Sequence, residues 1–137
     1  MQEAPGKIST TSDGWTADNT KGSFLGLTAH WIEVKDGTWK LRSEVVGFQP
    51  ISGEHSGDNL GRYFVGLCDR VGIMSKNESK VRIGLAAPAI RSLINDKCQL
   101  HTVTLDNASN NTTSCEVIGL QHVRRHLQWD AQANQLP

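Results

Sequence analysis

The sequence predicts an α/β fold with one mixed sheet and the element order β-β-β-α-β-α. Three β-prone runs joined by turn signals come first. A stretch with apolar residues at helical spacing follows them. A fourth β-prone run comes after that helix, and a strand reached through a helix usually lies parallel to its neighbour. The length of 137 residues suits a single domain with one modest core.

The first three strands are expected to form an antiparallel meander. The first runs from Lys7 to Ser12 and stops at the turn signal Asp13-Gly14. The second covers Ser23 to Glu33, and Asp36-Gly37 is a hairpin dipeptide that leads into the third, Thr38 to Ile51. The apolar residues of the third strand follow an imperfect period of two: Trp39, Leu41, Val45 and Phe48.

A helix is predicted from about Asn59 to Val71, with Ser56 or Asp58 as its N-cap and Gly72 as its stop. Its apolar face consists of Leu60, Phe64, Leu67, Cys68 and Val71. The fourth strand is expected at Leu100 to Leu105. A second helix begins between positions 108 and 111 and continues through Leu127.

Residues 77–97 fit this order poorly, and we interpret them as an insertion. They contain a charged stretch and an apolar stretch in which Pro88 could begin a short helix. Connections of this kind usually have only about 2 to 6 residues. Our hypothesis is that a translated intron or misannotated gene segment accounts for them.

The composition excludes some classes of function. Lysine and arginine total 14, as do aspartate and glutamate, so no global positive field favours nucleic acid or a membrane surface. No apolar run approaches the roughly 20 residues that span a bilayer, and the first residues lack a signal-peptide core. We therefore expect an intracellular protein with no membrane partner.

Cys68, Cys98 and Cys115 are widely spaced and are expected to be reduced and buried.

Two aspartates, Asp13 and Asp106, each follow a β-prone run. In this element order the first and fourth strands can lie side by side, which would bring the two carboxylates together. Carboxylates on rigid strands suit Mg²⁺ or Mn²⁺, and such ions can catalyse phosphodiester chemistry. Aspartate before glycine or asparagine is also a common turn signal, so spacing alone leaves a turn as the alternative.

The sequence around these two aspartates identifies a protein family more specifically than their spacing does. Six segments occur in this order: Ser12-Asp13-Gly14-Trp15-Thr16, Phe24 to Ile32, Trp39-Lys40-Leu41-Arg42-Ser43, Gly47-Phe48, His55-Ser56-Gly57-Asp58-Asn59 and Thr104 to Asn111. Together they resemble hAT superfamily DNA transposases, including transposon-derived proteins with a BED-type zinc finger. The resemblance covers nearly the whole chain apart from the insertion, and implies that residues 1–137 are a truncated ribonuclease H-like catalytic domain.

By this resemblance, Asp13 and Asp106 match the first two acidic residues of the family's Asp-Asp-Glu triad, with Mg²⁺ or Mn²⁺ as the expected cofactor. The partner implied for the full-length parent is DNA at transposon ends, in the nucleus, with homo-oligomerisation through regions outside this chain. The third acid of the family lies far downstream. No glutamate here stands in a matching context: Glu3, Glu33, Glu44, Glu54, Glu78 and Glu116.

We therefore expect this chain alone neither to cut nor to join DNA. The alternatives are a non-enzymatic nuclear module that binds DNA or another protein, and a pseudogene product. For the other candidates the structural interpretation is favoured over the functional one. Trp15 is expected to pack rather than stack on a base, His55 to be hydrogen-bonded, and Arg124-Arg125-His126 to be a solvated helix face. Of His30 and Trp31, one should face the core.

Overall fold

The computed structural model describes residues 7–74, 99–106, 111–125, 127 and 129–136. Within these ranges the chain forms five strands and two helices. The strands are β1 (Lys7–Thr16), β2 (Ser23–Lys35), β3 (Thr38–Ile51), β4 (Gln99–Leu105) and β5 (Gln135–Leu136), and the helices are α1 (Gly57–Val71) and α2 (Asn111–Arg124). None of the described helices is long and apolar enough to cross a membrane.

The strands form one mixed sheet in the order β3-β2-β1-β4-β5. The meander β1-β2-β3 is antiparallel, whereas β4 lies parallel to β1 and β5 lies parallel to β4. The predicted α/β class, the mixed sheet and the order β-β-β-α-β-α are confirmed. β5 was not predicted, because two residues are too few to show an alternating pattern.

The predicted end of β1 at Ser12 is wrong. β1 continues to Thr16, and its last four residues pair with β2 from Asp13 opposite Gly26 to Thr16 opposite Ser23. Because β2 begins directly opposite this segment, the backbone of Asp13-Gly14 remains in the antiparallel ladder. These two residues therefore form no turn.

The core lies between one face of the sheet and the two helices. Strand alternation directs Ile8, Thr10 and Ser12 of β1 to this side, where all three are buried. β2 contributes its alternate residues Leu25, Leu27, Ala29 and Trp31. From α1 the core receives Phe64, Val65, Leu67, Cys68 and Val71, and Ile118 comes from α2.

The opposite side of the sheet, called the open face below, carries apolar side chains that remain exposed. Its large exposed residues are Trp15, Ile32, Val34, Trp39, Leu41, Val45 and Phe48. This set includes all four apolar residues that alternate along β3, namely Trp39, Leu41, Val45 and Phe48. The residue of β3 that is buried is Val46, next to an irregularity where the register with β2 shifts.

The ends of α1 follow the predicted caps. Ser56 is the N-cap, and its hydroxyl accepts a hydrogen bond from the amide of Asn59. The helix therefore begins at Gly57, two residues before the predicted start. Gly72 ends it in the left-handed conformation, with φ of 77°, which glycine adopts at little cost.

α2 ends earlier than predicted. The helix stops at Arg124 rather than continuing through Leu127, and the carbonyl of His122 accepts hydrogen bonds from the amides of Arg125 and Leu127. Leu127 is nonetheless buried, so its apolar character reflects packing after the helix.

The predicted insertion at 77–97, including its short helix at Pro88, lies outside the described residues and stays a prediction. The structure does place the flanks of this region side by side, because the amide of Leu100 donates to the carbonyl of Ile73 at 3.3 Å.

Candidate metal site

The parallel register of β1 and β4 places Asp13 and Asp106 at neighbouring positions. Ser12 is the Cα partner of Leu105, the last paired residues of the two strands. Asp13 and Asp106 are the next residues in each strand direction, and both are exposed. The sequence-based expectation that the first and fourth strands lie side by side is therefore confirmed.

Asp13 is held by the antiparallel ladder with β2. Its neighbour Ser12 is buried on the core side and donates a hydrogen bond to the carbonyl of Gly26 at 3.2 Å. Because successive side chains of a strand point to opposite faces, Asp13 projects from the open face. A rigid strand thus presents this carboxylate to that face.

An aromatic cluster lies beside Asp13 on the open face. The Trp15 ring centroid is 5.1 Å from that of Phe48 and 6.1 Å from that of Phe24. The Trp15 ring also covers Gly26, where an added Cβ would lie 3.1 Å from the indole. The packing interpretation of Trp15 is confirmed, although 45% of the residue remains exposed.

Asp106 is positioned by the beginning of α2. Its Oδ1 accepts a hydrogen bond of 3.4 Å from the side-chain amide of Asn111, the first residue of the helix. Asn111 is buried. One turn further, the Ser114 hydroxyl donates to the carbonyl of Gly57 at 2.9 Å. The start of α2 is thereby attached to the start of α1, which orients the group that binds Asp106.

A cleft of about 190 Å³ opens at this end of the sheet. Asp106, Asn111, His55 and Ser12 are among its lining residues, whereas Asp13 is not. Asp13 and Asp106 therefore share an edge of the sheet, and only Asp106 lines the cleft. The sequence favoured a hydrogen-bonded structural role for His55 over contact with DNA or support of the site, and the structure places His55 in the same cleft as Asp106.

The donor set at this edge fits a hard divalent cation. Mg²⁺ usually takes one or two protein carboxylates and completes its shell with water and substrate phosphates. Among the described residues, no cluster of three or more histidine, cysteine or acidic side chains could hold a metal. Within the described part of the chain, Asp13 and Asp106 are therefore two candidate ligands, and no third ligand is grouped with them.

The basic end of α2 has a structural contact. Arg125 forms a two-point ion pair with Asp69 of α1, one of whose contacts is 2.8 Å. The hydrogen bond and charge of Asp69 raise the pKa of Arg125. Arg124 is exposed, in agreement with a solvated face, and His126 lies outside the described residues.

The predicted burial of the cysteines is confirmed for Cys68 and Cys115, which are free thiols. Burial raises the pKa of both, that of Cys115 to about 11. Cys98 lies outside the described residues.

The adjacent residues His30 and Trp31 of β2 lie on opposite faces of the sheet, as predicted. Trp31 faces the core, while His30 contacts the Thr11 hydroxyl on the open face.

Comparison with known proteins adds a relationship by sequence. Over 76 residues, 56% of the chain, it is 33% identical to "Putative AC transposase" and equally to "Putative AC9 transposase", both from Zea mays. The chain is related to transposases. The match spans only 9% of each maize protein.

A second kind of relative covers more of the chain at lower identity. Over 107 residues, 78% of the chain, it is 29% identical to "Putative transcriptional regulator tpeD" from Talaromyces stipitatus, of which the match spans 10%. No protein-family model matches the chain.

Proposed function

We propose that this chain is the first part of a ribonuclease H-like catalytic domain of a hAT-type DNA transposase. Asp13 and Asp106 are its first two metal-binding carboxylates. The observation that carries the proposal is the parallel register of β1 and β4, which places the two residues at adjacent strand positions. The 33% identity to the two maize proteins supports it independently.

In this proposal Asp13 and Asp106 hold Mg²⁺ or Mn²⁺. When bound, the metal would activate a water or a 3′ hydroxyl and stabilise the leaving oxygen of a phosphodiester. The chain's own residues fix the carboxylates. The β1–β2 ladder holds Asp13, and Asn111 hydrogen-bonds Asp106. The buried Ser12 donates its hydroxyl to the carbonyl of Gly26, which ties β1 to β2 next to Asp13.

The proposed catalytic site needs a third carboxylate, and the described residues form no cluster of three metal-ligating side chains. We propose that it comes from a part of the parent protein outside this chain, and that the chain alone neither cuts nor joins DNA. DNA at transposon ends, nuclear localisation, a BED zinc finger and oligomerisation belong to the proposed parent protein as well.

A second candidate is a non-enzymatic nuclear module that binds DNA or another protein. The match to "Putative transcriptional regulator tpeD" over 78% of the chain favours it. The two proposals differ at the carboxylates, since a binding module would tolerate the loss of Asp13 and Asp106 whereas a metal site would not.

Isothermal titration calorimetry with Mg²⁺ and Mn²⁺ tests the metal site. The unmodified chain should show saturable heat that is lost in Asp13→Asn and in Asp106→Asn. Asp18→Asn is the matched control, because Asp18 is an exposed aspartate in the loop after β1, and it should bind metal like the unmodified chain. Equal heats for all four proteins would reject the metal site.

A nuclease assay tests the proposed inactivity of the isolated chain. Purified chain incubated with transposon-end DNA and Mg²⁺ should leave the DNA intact. Magnesium-dependent cleavage that disappears in Asp13→Ala would contradict the proposal that a third carboxylate from elsewhere is required.

A further inference from the structure

The strand β3 forms one edge of the sheet in the described part of the chain. It is 14 residues long, and β2 pairs with it on one side only. Edge strands of this length are usually protected from further pairing by proline, bulges, charged side chains or a covering segment. In β3 the register irregularity near Val46 and Pro50 both lie in the second half. The half from Thr38 to Val45 has neither proline nor a bulge, and only charged side chains protect it: Lys40, Arg42 and Glu44. A second strand can therefore pair here only if it supplies matching charges.

The sequence of this half is self-complementary about Ser43. If two copies of β3 pair antiparallel with Ser43 opposite Ser43, then Arg42 of each copy lies opposite Glu44 of the other. In the same register Leu41 lies opposite Val45. Directly opposed residues of an antiparallel pair lie on the same face with Cβ atoms about 4.5 to 5.5 Å apart. One register therefore matches opposite charges and apolar side chains at the same time.

The charged pair lies on the core side of the sheet, since Arg42 is opposite the buried Trp31 in β2 and Glu44 is opposite the buried Ala29. Within the described residues, the Arg42 Nε and Glu44 Oε2 atoms are buried and have no hydrogen-bond partner. The Arg42 Nε atom forms an ion pair with Glu33 Oε2 at 3.7 Å, a separation longer than a hydrogen bond.

The apolar pair lies on the open face, where 74% of Leu41 and 71% of Val45 are exposed. Cross-strand contact with a second copy would shield part of both side chains, and apolar and charged cross-strand pairs each stabilise an antiparallel ladder. The twofold relation repeats every such contact, so each matched pair occurs twice.

We propose that two copies of this chain associate through β3, paired antiparallel with the twofold axis at Ser43. The two sheets then form one continuous ten-stranded sheet, with both open faces on the same side. The partner is a second copy because β3 supplies both halves of each pair. The proposal rests on the edge strand and is independent of the metal site.

Charge reversal tests the partner and the register together. Analytical ultracentrifugation of the full chain should show a monomer–dimer equilibrium. The single variants R42E and E44R should each raise the dimer dissociation constant by about tenfold or more, because like charges then face each other twice. An equimolar mixture of the two variants should recover association, since the acidic strand of one matches the basic strand of the other.

Circular dichroism accompanies these measurements, so that loss of association in a folded variant is separated from unfolding. A monomeric unmodified chain at every concentration would overturn the proposal. So would association that both single variants retain unchanged, or a mixture of folded variants that stays monomeric.

A disulfide tests the position of the twofold axis. In a background with Cys98→Ser, Ser43→Cys should form an intermolecular disulfide on mild oxidation, because opposed residues fall within the Cα separation of about 4.4 to 6.8 Å that a disulfide spans. Ser52→Cys is the control, as Ser52 is exposed just after β3 and outside the register. Equal cross-linking of both variants, or none at position 43, would contradict the proposed axis.

Discussion

We predict opposite effects on stability when alanine replaces glycine at two positions of α1, Gly61 and Gly66. A Cβ added at Gly61 would lie 2.9 Å from the carbonyl oxygen of Ser114 and 2.9 Å from the Val117 Cβ in α2. Ordinary contacts begin near 3.4 Å, so the two helices would have to separate. A Cβ at Gly66 would meet nothing within 4 Å, which makes Gly66→Ala a matched control in the same helix.

The magnitude follows from the difference between the variants. Replacing glycine by alanine inside a helix gains roughly 0.5 to 1 kcal/mol at either position, so this gain cancels in the comparison. What remains is the steric conflict at Gly61, and overpacking of this kind costs about 1 to 3 kcal/mol. We therefore expect Gly66→Ala to be more stable than the unmodified chain and Gly61→Ala to be less stable by about 1 kcal/mol.

Thermal unfolding monitored by circular dichroism is the assay. For a domain of this size, 1 kcal/mol corresponds to a shift in Tm of about 3 to 5 °C, so the two variants should differ by at least that amount. Equal Tm values for Gly61→Ala and Gly66→Ala would refute the close approach of α1 and α2 at Gly61, and with it the fixed position of Asn111 beside Asp106.

Three further predictions concern single side chains. Ser56→Ala should lower the free energy of unfolding by about 1 kcal/mol, measured by urea titration, because α1 loses its N-cap acceptor. Burial lowers the pKa of His122 below its usual 6.5. The stability of the folded state should therefore be full above pH 6.5 and fall as pH drops through and below that value, and urea titrations across this range should show a weaker dependence in His122→Phe. Cys68 and Cys115 should react with iodoacetamide only after denaturation, detected by mass spectrometry, because both thiols are buried and their pKa values are raised.

The strand order could be predicted because the apolar patterns of the elements are local. The hairpin at Asp36-Gly37, the caps Ser56 and Gly72 and the return through α1 to β4 each follow from a few adjacent residues. The end of β1 could not be predicted in the same way. Asp13-Gly14 is a turn signal by itself, and only its pairing with β2 keeps it extended.

The side of the sheet that is covered is also not encoded in alternation alone. A period of two shows which residues share a face, but Trp39, Leu41 and Val45 prove to lie on the exposed face. Their side depends on where α1 packs, which is a tertiary contact. For the same reason the sequence did not place His55 beside Asp106 in the cleft.

The sequence predicted which two residues belong to the candidate site, but it did not predict the contacts that position them. Asp13 and Asp106 were identified from the sequence segments around them. The register of β1 and β4 explains how two residues with 92 residues between them lie at neighbouring positions. The contact between Asn111 and Asp106 depends on the position of α2, and no short-range signal indicated it.

We propose that Asp13 and Asp106 bind one divalent cation where the pairing of β1 with β4 ends. Paramagnetic broadening by Mn²⁺ tests this most directly. In an NMR titration of the full chain, the amide signals of Gly14 and Leu105 should broaden first, while those of Val34 near the far end of the sheet stay sharp. Asp13→Asn and Asp106→Asn should each abolish this selectivity. Uniform broadening, or selective broadening that survives both substitutions, would contradict the account.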